Sequence, residues 1–170
     1  EDQEGRVGRD VNIAVVTVST RAAAGIYEDR SGERLVALAG EAGHKVIRRE
    51  VVPDGESALS TLLCELCDDP AVDLVITTGG TGLTPADRTP EATAAICERL
   101  VPGIAEAIRS ASVATVPHAL LSRGLAGVRA GTLIVNVPGS PGGAADGWAV
   151  LITVAEHALS QIRGGDHPRP

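Results

Sequence analysis

Apolar runs of strand length alternate with amphipathic segments of helical length along this chain. The run from Val11 to Val18 is almost continuously aliphatic, which is typical of a strand covered on both faces. Lys45–Val52 and Val72–Thr77 are predicted as two further strands. Between them, leucines recur at i, i+3, i+4 and i+7 from Leu59 to Leu66, and this spacing predicts an amphipathic helix.

The rest of the chain continues the alternation. Helices are predicted at residues 33–42, 89–100, 104–114 and 144–162, and a hairpin is predicted to join Val128 to the strand Thr132–Val137. Thr89 is expected to cap the second of these helices, with Pro90 at its first position. The order of elements predicts a three-layer α/β fold with a mostly parallel sheet and helices on both faces. Residues 11–163 are expected to form a single domain, with flexible tails at 1–10 and 164–170.

Composition adds constraints on the core and on partners. Phe and Met are absent, and Tyr27 and Trp148 are the only Tyr and Trp, so aliphatic side chains must fill the core. A formal net charge of −7 argues against nucleic acid, because phosphate backbones are bound by clustered Lys and Arg. No apolar run approaches the roughly 18 to 20 residues that span a bilayer, and the acidic start is unlike a signal peptide. We therefore expect a cytoplasmic protein that binds neither nucleic acid nor membranes.

The three cysteines are expected to be reduced thiols, because an odd number without a secretion signal does not indicate a disulfide framework. The spacing Cys64-x-x-Cys67 allows a redox or zinc motif as an alternative. It lies inside a helical pattern rather than at a strand-to-helix turn, and no second pair completes a metal site. A structural role in the helix is the favoured interpretation.

A glycine-rich stretch, Gly79, Gly80, Thr81 and Gly82, follows the third predicted strand. Glycines let backbone amides approach an anion closely, and the threonine adds a hydroxyl donor. The stretch has neither the Lys of a Walker loop nor the G-x-G-x-x-G spacing of a Rossmann loop. It predicts a phosphate or ribose site of another kind, with a simple tight turn as the alternative.

Two aspartates are the candidate metal ligands. Asp87 lies between the glycines and a helix N-terminus, where a carboxylate beside a phosphate calls for a cation such as Mg²⁺. Asp54 follows the neighbouring strand and is expected at the same end of the sheet. The alternatives are a helix-stabilising role for Asp87 and an ordinary Pro-Asp-Gly turn for Asp54. Glu91 is either a third acidic group or a favourable first-turn residue.

Polar residues that interrupt apolar surroundings are further candidates, since ligands of parallel sheets bind beyond the carboxyl ends of the strands. Arg123, next to Ser122, is a candidate phosphate clamp, and Asn136 is a candidate reader of a ring amide. A capping or turn role is the alternative for each of these residues.

The chain resembles the molybdenum-cofactor biosynthesis family over nearly its whole length. This family comprises bacterial molybdopterin adenylyltransferases, their MoaB-type relatives, and the G domains of plant and animal fusion proteins. The motifs that carry the resemblance are Thr77–Gly82 with Asp87 and Thr89–Thr93, the turn Val51–Asp54, Leu121–Arg123 with Ala126 and Gly127, and Asn136–Pro141.

The resemblance implies Mg²⁺-dependent transfer of AMP from ATP to the terminal phosphate of molybdopterin, with release of pyrophosphate. Asp54 and Asp87 match the two functional aspartates of the family, and the resemblance makes them the catalytic and Mg²⁺-binding pair. It implies a homotrimer as well, and a downstream molybdenum-insertion protein is a possible partner. The substrate-binding residues that it implies are Ser19, Gly79, Gly80, Thr81, Gly82, Glu91, Ser122, Arg123, Asn136, Pro138, Gly139 and Ser140.

Two positions depart from the family pattern. Ala86 stands where many members have Arg, and Thr20 stands where many have Asp after Ser19. Arg21 or Arg88 is a candidate to supply the positive charge from a shifted position. The departures leave open an alternative function, a MoaB-type protein that binds molybdopterin without adenylating it. A nucleotide hydrolase is less favoured, because no general base accompanies the two aspartates.

Overall fold

Six strands and seven α-helices form within residues 10–165, the part of the chain that the computed structural model describes. Most of each predicted tail, 1–10 and 164–170, lies outside these residues. The strands are β1 Asn12–Val18, β2 Lys45–Val52, β3 Leu74–Thr78, β4 Arg99–Leu100, β5 Ala126–Arg129 and β6 Thr132–Val137. The helices are α1 Thr20–Ala23, α2 Arg30–Glu41, α3 Ser57–Asp68, α4 Thr89–Ile96, α5 Pro102–Val113, α6 Pro141–Leu151 and α7 Ala155–Ile162, with a 3₁₀ helix at Pro117–Leu121.

The strands form one sheet in the order β2-β1-β3-β6-β5-β4. The first four are parallel to one another, and β5 is antiparallel to both of its neighbours. The predicted hairpin is confirmed as β5 and β6, which meet where Arg129 pairs with Thr132. The predicted α/β fold with a mostly parallel sheet is therefore confirmed.

Alternation along β1 explains the three layers. Ile13 and Val15 pack on one face with helices α2, α5, α6 and α7, whereas Ala14 and Val16 pack on the other with α3 and α4. All four side chains are fully buried. The aliphatic run from Ile13 to Val16 follows from this arrangement, because each face of the central strand is covered by helices.

The predicted closing helix at 144–162 is wrong, because the chain breaks it into α6 and α7. The hydroxyl of Thr153 donates to the carbonyl of Val150 at 2.7 Å and competes with the helical pattern. Trp148 and Leu151 before the break, and Leu159 after it, still bury on the same side of the sheet. The spacing of apolar residues is therefore the same before and after the break, so it did not indicate that the helix is broken.

The predicted cap and end of α4 are also wrong. Arg88 occupies the cap position, and Thr89 is the first helical residue, whose hydroxyl donates to the carbonyl of Gly79 at 2.9 Å. The helix stops at Ile96, and the following residues pair with β5 as β4. Edge pairing, which depends on distant sequence, ended the helix earlier than its local pattern indicated.

None of the helices formed by residues 10–165 has the length and apolar character that crossing a membrane requires.

Candidate functional site

A cavity of about 520 Å³ opens beyond the carboxyl ends of β1 and β3. Val18 and Ser19 line it where β1 ends, Thr78 and Gly79 line it where β3 ends, and Gly139 lines it from the loop after β6. In the sheet, β2 lies on one side of β1. The next strand along the chain, β3, lies on the other side of β1, next to β6. The cavity therefore occupies the point at which the connections diverge, where open α/β sheets bind ligands.

Glycines are required at this edge of the sheet because neighbouring backbone segments approach them closely. Gly79 and Gly80 have φ of 99° and 66°, in the left-handed region. A Cβ on Gly79 would lie 2.4 Å from the carbonyl oxygen of Val18, and one on Gly80 would lie 2.3 Å from Oγ1 of Thr89. A Cβ on Gly139 would lie 3.0 Å from the Cα of Gly79. The loops after β3 and β6 thus meet with no side chain between them.

Two helix N-termini also border the cavity. Arg30 and Ser31 begin α2, and Pro141 begins α6 behind its cap Ser140, whose hydroxyl accepts from the amide of Gly143 at 3.0 Å. Helix N-termini carry a partial positive charge. Together with the glycine loop, they form a wall suited to an anionic group such as phosphate.

Asp29 fixes the position of α2 at this wall. Its carboxylate accepts hydrogen bonds from the hydroxyl of Thr17 at 2.7 Å, the amide of Gly32 at 3.0 Å and the guanidinium of Arg49 at 3.0 Å. Because these donors satisfy its oxygens, Asp29 serves to hold the cavity wall rather than to bind a cation.

Asp54 is held in position by Thr20. The amide and the hydroxyl of Thr20 donate to Oδ2 of Asp54 at 3.0 and 2.9 Å, and the Asp54 amide donates to the Thr20 hydroxyl at 3.1 Å. Oδ1 of Asp54 accepts no hydrogen bond from the residues that the structure describes. The carboxylate is oriented by Thr20 and keeps one oxygen available for a ligand.

Asp87 has a similar arrangement within its own loop. Its Oδ2 accepts from the amide of Thr84 at 3.1 Å, and its amide donates to the Thr84 carbonyl at 3.0 Å. A Cβ on Gly82 would lie 2.8 Å from this carboxylate oxygen, so the third glycine makes room for it. Within the described part of the chain, Oδ1 of Asp87 is again free of hydrogen bonds.

An ion pair joins the loops that carry the two aspartates. Arg88, next to Asp87, donates to Glu56 at 2.9 Å, and Glu56 lies two residues after Asp54. This contact places the two loops side by side and raises the pKa of the Arg88 guanidinium. Within residues 10–165, no group of three or more His, Cys, Asp or Glu side chains is arranged to hold a metal ion.

The predicted phosphate clamp, Arg123, contacts the glycine loop itself. Its Nε donates to the carbonyl of Gly82 at 2.8 Å and its Nη2 to the carbonyl of Asp87 at 2.8 Å. Its Nη1 forms an ion pair with Glu91, and this hydrogen bond lowers the pKa of the Glu91 carboxyl. The structure therefore places Arg123 and Glu91 as the brace that holds the loop between Gly82 and Asp87.

Asn136 lies inside the protein, with 2% of its surface exposed. Its side-chain amide donates to the hydroxyls of Thr77 and Thr93 at 2.8 and 3.0 Å, and its Oδ1 accepts from the amide of Leu125 at 3.1 Å. Ser122 accepts from the amide of Gly124 at 3.4 Å. The hydrogen bonds of Asn136 therefore connect its own strand, β6, to β3 and α4 behind the site.

Only some of the predicted residues meet in the cavity. Ser19, Gly79 and Gly139 line it, whereas the other predicted residues are not among those that line it: Asp54, Gly80, Thr81, Gly82, Asp87, Glu91, Ser122, Arg123, Asn136, Pro138 and Ser140. Pro138 contributes its carbonyl, which accepts from the hydroxyl of Thr78 at 2.7 Å. The sequence interpretation missed the part of the wall formed by the loop after β1, namely Ile26, Tyr27 and Glu28. The signal was a pair of large apolar residues, Ile26 and Tyr27, inside a loop of small and polar residues.

The buried Cys67 and the partly buried Cys97 lead to a prediction about thiol reactivity. Burial raises the pKa of the Cys67 thiol to about 12 and that of Cys97 to about 11. Because only the thiolate reacts, we expect iodoacetamide at pH 8 to modify both at least about a hundredfold more slowly than an unstructured cysteine peptide. Mass spectrometry before and after unfolding in urea measures this. Rapid labelling of Cys67 in the folded protein would support the redox interpretation of Cys64-x-x-Cys67.

Comparison with known proteins is in line with this site. Residues 14–157 match the family model described as a probable molybdopterin binding domain. A molybdopterin adenylyltransferase of Helicobacter pylori is 41% identical over 133 residues, which cover 77% of this chain and 76% of that protein. The Escherichia coli K12 molybdopterin adenylyltransferase is 38% identical over 133 residues, which cover 77% and 68% of the two chains.

Solved structures give the same assignment. The molybdopterin biosynthesis enzyme MoaB of Thermus thermophilus superposes with a TM-score of 0.85 at 40% identity, over 91% of this chain and 97% of that one. The Mog protein of Mycobacterium ulcerans superposes with a TM-score of 0.84 at 44% identity, over 89% and 99%. Because the family model matches residues 14–157 and the Helicobacter pylori protein is 41% identical, the chain belongs to the molybdenum-cofactor biosynthesis family of molybdopterin-binding domains.

Proposed function

We propose that this protein is a molybdopterin adenylyltransferase that transfers AMP from ATP to molybdopterin. A terminal phosphate oxygen of molybdopterin attacks the α-phosphorus of ATP, a new P–O bond forms, and pyrophosphate leaves with the electron pair of the broken bond. The observation that carries the proposal is the position of Asp54 and Asp87 on adjoining loops at the edge of the sheet where the cavity opens. The names of the relatives at 41% and 38% identity support the same reaction.

The chain's own residues are proposed to bind and orient the phosphates. The N-termini of α2 and α6 and the glycine loop present partial positive charge to the cavity. Arg123 and Glu91 keep the loop rigid, so its backbone need not reorganise when an anion binds. Orientation of two phosphorylated substrates in this way accounts for much of the rate in phosphoryl transfer.

We infer that Asp54 and Asp87 would together hold a magnesium ion. Each carboxylate is oriented through one oxygen and retains the other, and oxygen donors are what Mg²⁺ prefers. Two carboxylates suffice, because protein-bound Mg²⁺ commonly completes its shell with substrate phosphates and water. The ion would neutralise negative charge that develops on the reacting phosphates.

The reaction itself is the test. Purified protein incubated with Mg²⁺, ATP and molybdopterin should form adenylyl-molybdopterin and pyrophosphate in equal amounts, detected by mass spectrometry and a pyrophosphate assay. Addition of EDTA should stop both. Absence of product from the unaltered protein under these conditions would refute the proposal.

A second function, molybdopterin binding without adenylation, is favoured by Thr20 and Ala86 and by the similarity to MoaB of Thermus thermophilus. Calorimetry separates the two functions. A MoaB-type binder should take up molybdopterin but show no Mg²⁺-dependent affinity for ATP, whereas an adenylyltransferase should show both.

Replacing Thr20 is expected to lower activity, because Thr20 orients the carboxylate of Asp54. Thr20→Ala removes one of the two donors to the carboxylate, so we expect kcat to fall about tenfold and half-maximal activity to require more Mg²⁺. Thr20→Ser should restore most of the activity because it keeps the hydroxyl. Thr61→Ala, which removes an exposed hydroxyl that donates to the carbonyl of Ser57 in α3, is the matched control. Equal activity of all variants would exclude a role for Thr20.

A homotrimer in the cytoplasm that passes its product to a molybdenum-insertion protein completes the proposal. Leu83, Leu120 and Leu121 are between 53% and 67% exposed, and such apolar side chains are suited to contact between subunits. Sedimentation equilibrium should give three times the chain mass of 17.3 kDa.

A further inference from the structure

Tyr27 is an aromatic side chain exposed at the wall of the cavity. It is 58% exposed and its neighbour Ile26 is 72% exposed, and both line the cavity. They belong to a chain that contains one Tyr, one Trp and no Phe. Large apolar side chains next to each other at a cavity are a common feature of ligand sites, because they bury their surface when a ligand binds.

The loop that carries Tyr27 is held before any ligand arrives. The amide of Ile26 donates to the carbonyl of Arg21 at 2.8 Å, and Gly25 makes the turn with φ of 73°. The guanidinium carbon of Arg21 lies 5.2 Å from the centroid of the Tyr27 ring, and its Nη1 donates to the phenol oxygen at 3.0 Å. A ring fixed by such contacts loses little additional entropy on binding.

The cavity therefore has two chemically different parts. The glycine loop and the helix N-termini at Ser31 and Pro141 are suited to phosphate, whereas Tyr27, Ile26 and Ala22 present aromatic and apolar surface. A ligand that matches both parts carries a phosphate and a planar ring. Adenine nucleotides and phosphorylated pterins both have this composition.

We propose that Tyr27 is the stacking surface for the planar heteroaromatic ring of a phosphorylated substrate, and that Arg21 positions the tyrosine. The inference rests on the proposed function, because that function supplies the two candidate rings, adenine and pterin. Stacking on an aromatic side chain is worth about 1–3 kcal/mol per base, which corresponds to roughly five- to 150-fold in affinity.

The test compares ring-containing and ring-free ligands on matched variants. AMP and ribose 5-phosphate are titrated by calorimetry, and 6-carboxypterin by its fluorescence, against the unaltered protein, Tyr27→Phe and Tyr27→Leu. Tyr27→Leu should weaken binding of AMP or of 6-carboxypterin about tenfold, and Tyr27→Phe should change it less than about threefold. Affinity for ribose 5-phosphate should be the same in all three proteins, and an unchanged Tm should show that they are equally folded.

Each result either supports or contradicts the assignment of Tyr27 as the stacking surface. A loss confined to AMP identifies adenine as the stacked ring, a loss confined to 6-carboxypterin identifies the pterin, and a loss for both shows that Tyr27 stacks on either ring. Equal affinities for both ring ligands across the variants, an equal loss for ribose 5-phosphate, or no binding of either ring ligand to the unaltered protein would overturn the assignment. Failure of the adenylation assay leaves this result intact, because the binding measurements require no turnover.

Discussion

Replacing Asp87 with asparagine is expected to lower kcat for adenylyl-molybdopterin formation by at least about a hundredfold. The substitution removes the negative charge that is proposed to hold Mg²⁺ against the phosphates, an effect worth several kcal/mol of transition-state stabilisation. The fold should be retained, because the asparagine carbonyl oxygen can still accept the amide of Thr84, which donates to Oδ2 of Asp87 at 3.1 Å. Steady-state kinetics with saturating Mg²⁺ measures the loss.

Asp69→Asn provides a matched control for this substitution. Asp69 also accepts a backbone amide through its carboxylate, that of Ala71 at 2.9 Å, but it precedes β3 and so lies at the opposite edge of the sheet. The same change of charge there should leave kcat within about twofold. If Asp87→Asn retained full activity, or if both variants lost activity equally, the assignment of Asp87 as a catalytic residue would fail.

The double variant tests whether the two aspartates share one ion. If Asp54 and Asp87 act together, removing the second charge should cost much less than removing the first, because residues that act as a unit are strongly non-additive. Asp54→Asn should therefore lower kcat by a similar factor, and Asp54→Asn with Asp87→Asn should be little worse than either. Losses that multiply would indicate that the two carboxylates act separately.

The elements that could be predicted from the sequence are those whose pattern of apolar and polar residues matches the burial of each position. β1 and β3 were predictable because helices cover both faces of the sheet, so most residues of each strand are apolar whichever side they face. The break between α6 and α7 was not, since the apolar period from Trp148 to Leu159 continues through it on one face of the sheet. What interrupts the helix is the local competition of the Thr153 hydroxyl for a backbone carbonyl.

The site shows the same division between local and tertiary information. The glycine loop could be predicted because its composition alone permits left-handed backbone. The contacts of Arg123 could not, because a guanidinium that braces a loop and one that binds phosphate look alike in sequence. Likewise, Thr20 and Asp54 are 34 residues apart, and only the pairing of β1 with β2 brings them together.

Gly79→Ala is expected to destabilise the protein by about 3–4 kcal/mol. Part of this cost, about 1–2 kcal/mol, comes from placing a side chain at φ of 99°. The remainder comes from overlap of the new methyl group with the carbonyl oxygen of Val18 at 2.4 Å. That oxygen belongs to the backbone at the end of a buried strand and cannot move aside cheaply. For a chain of this size the change corresponds to a decrease in Tm of roughly 10 °C.

Gly43→Ala separates the two contributions. Gly43 has φ of 82°, but a Cβ there would meet no atom within 4 Å, so only the conformational cost applies. Urea unfolding should give a loss of about 1–2 kcal/mol for Gly43→Ala and about twice that or more for Gly79→Ala, with m-values unchanged. Equal losses would mean that the loop after β3 relaxes away from Val18. In that case close packing of the two backbones would not explain why glycine is needed at the cavity.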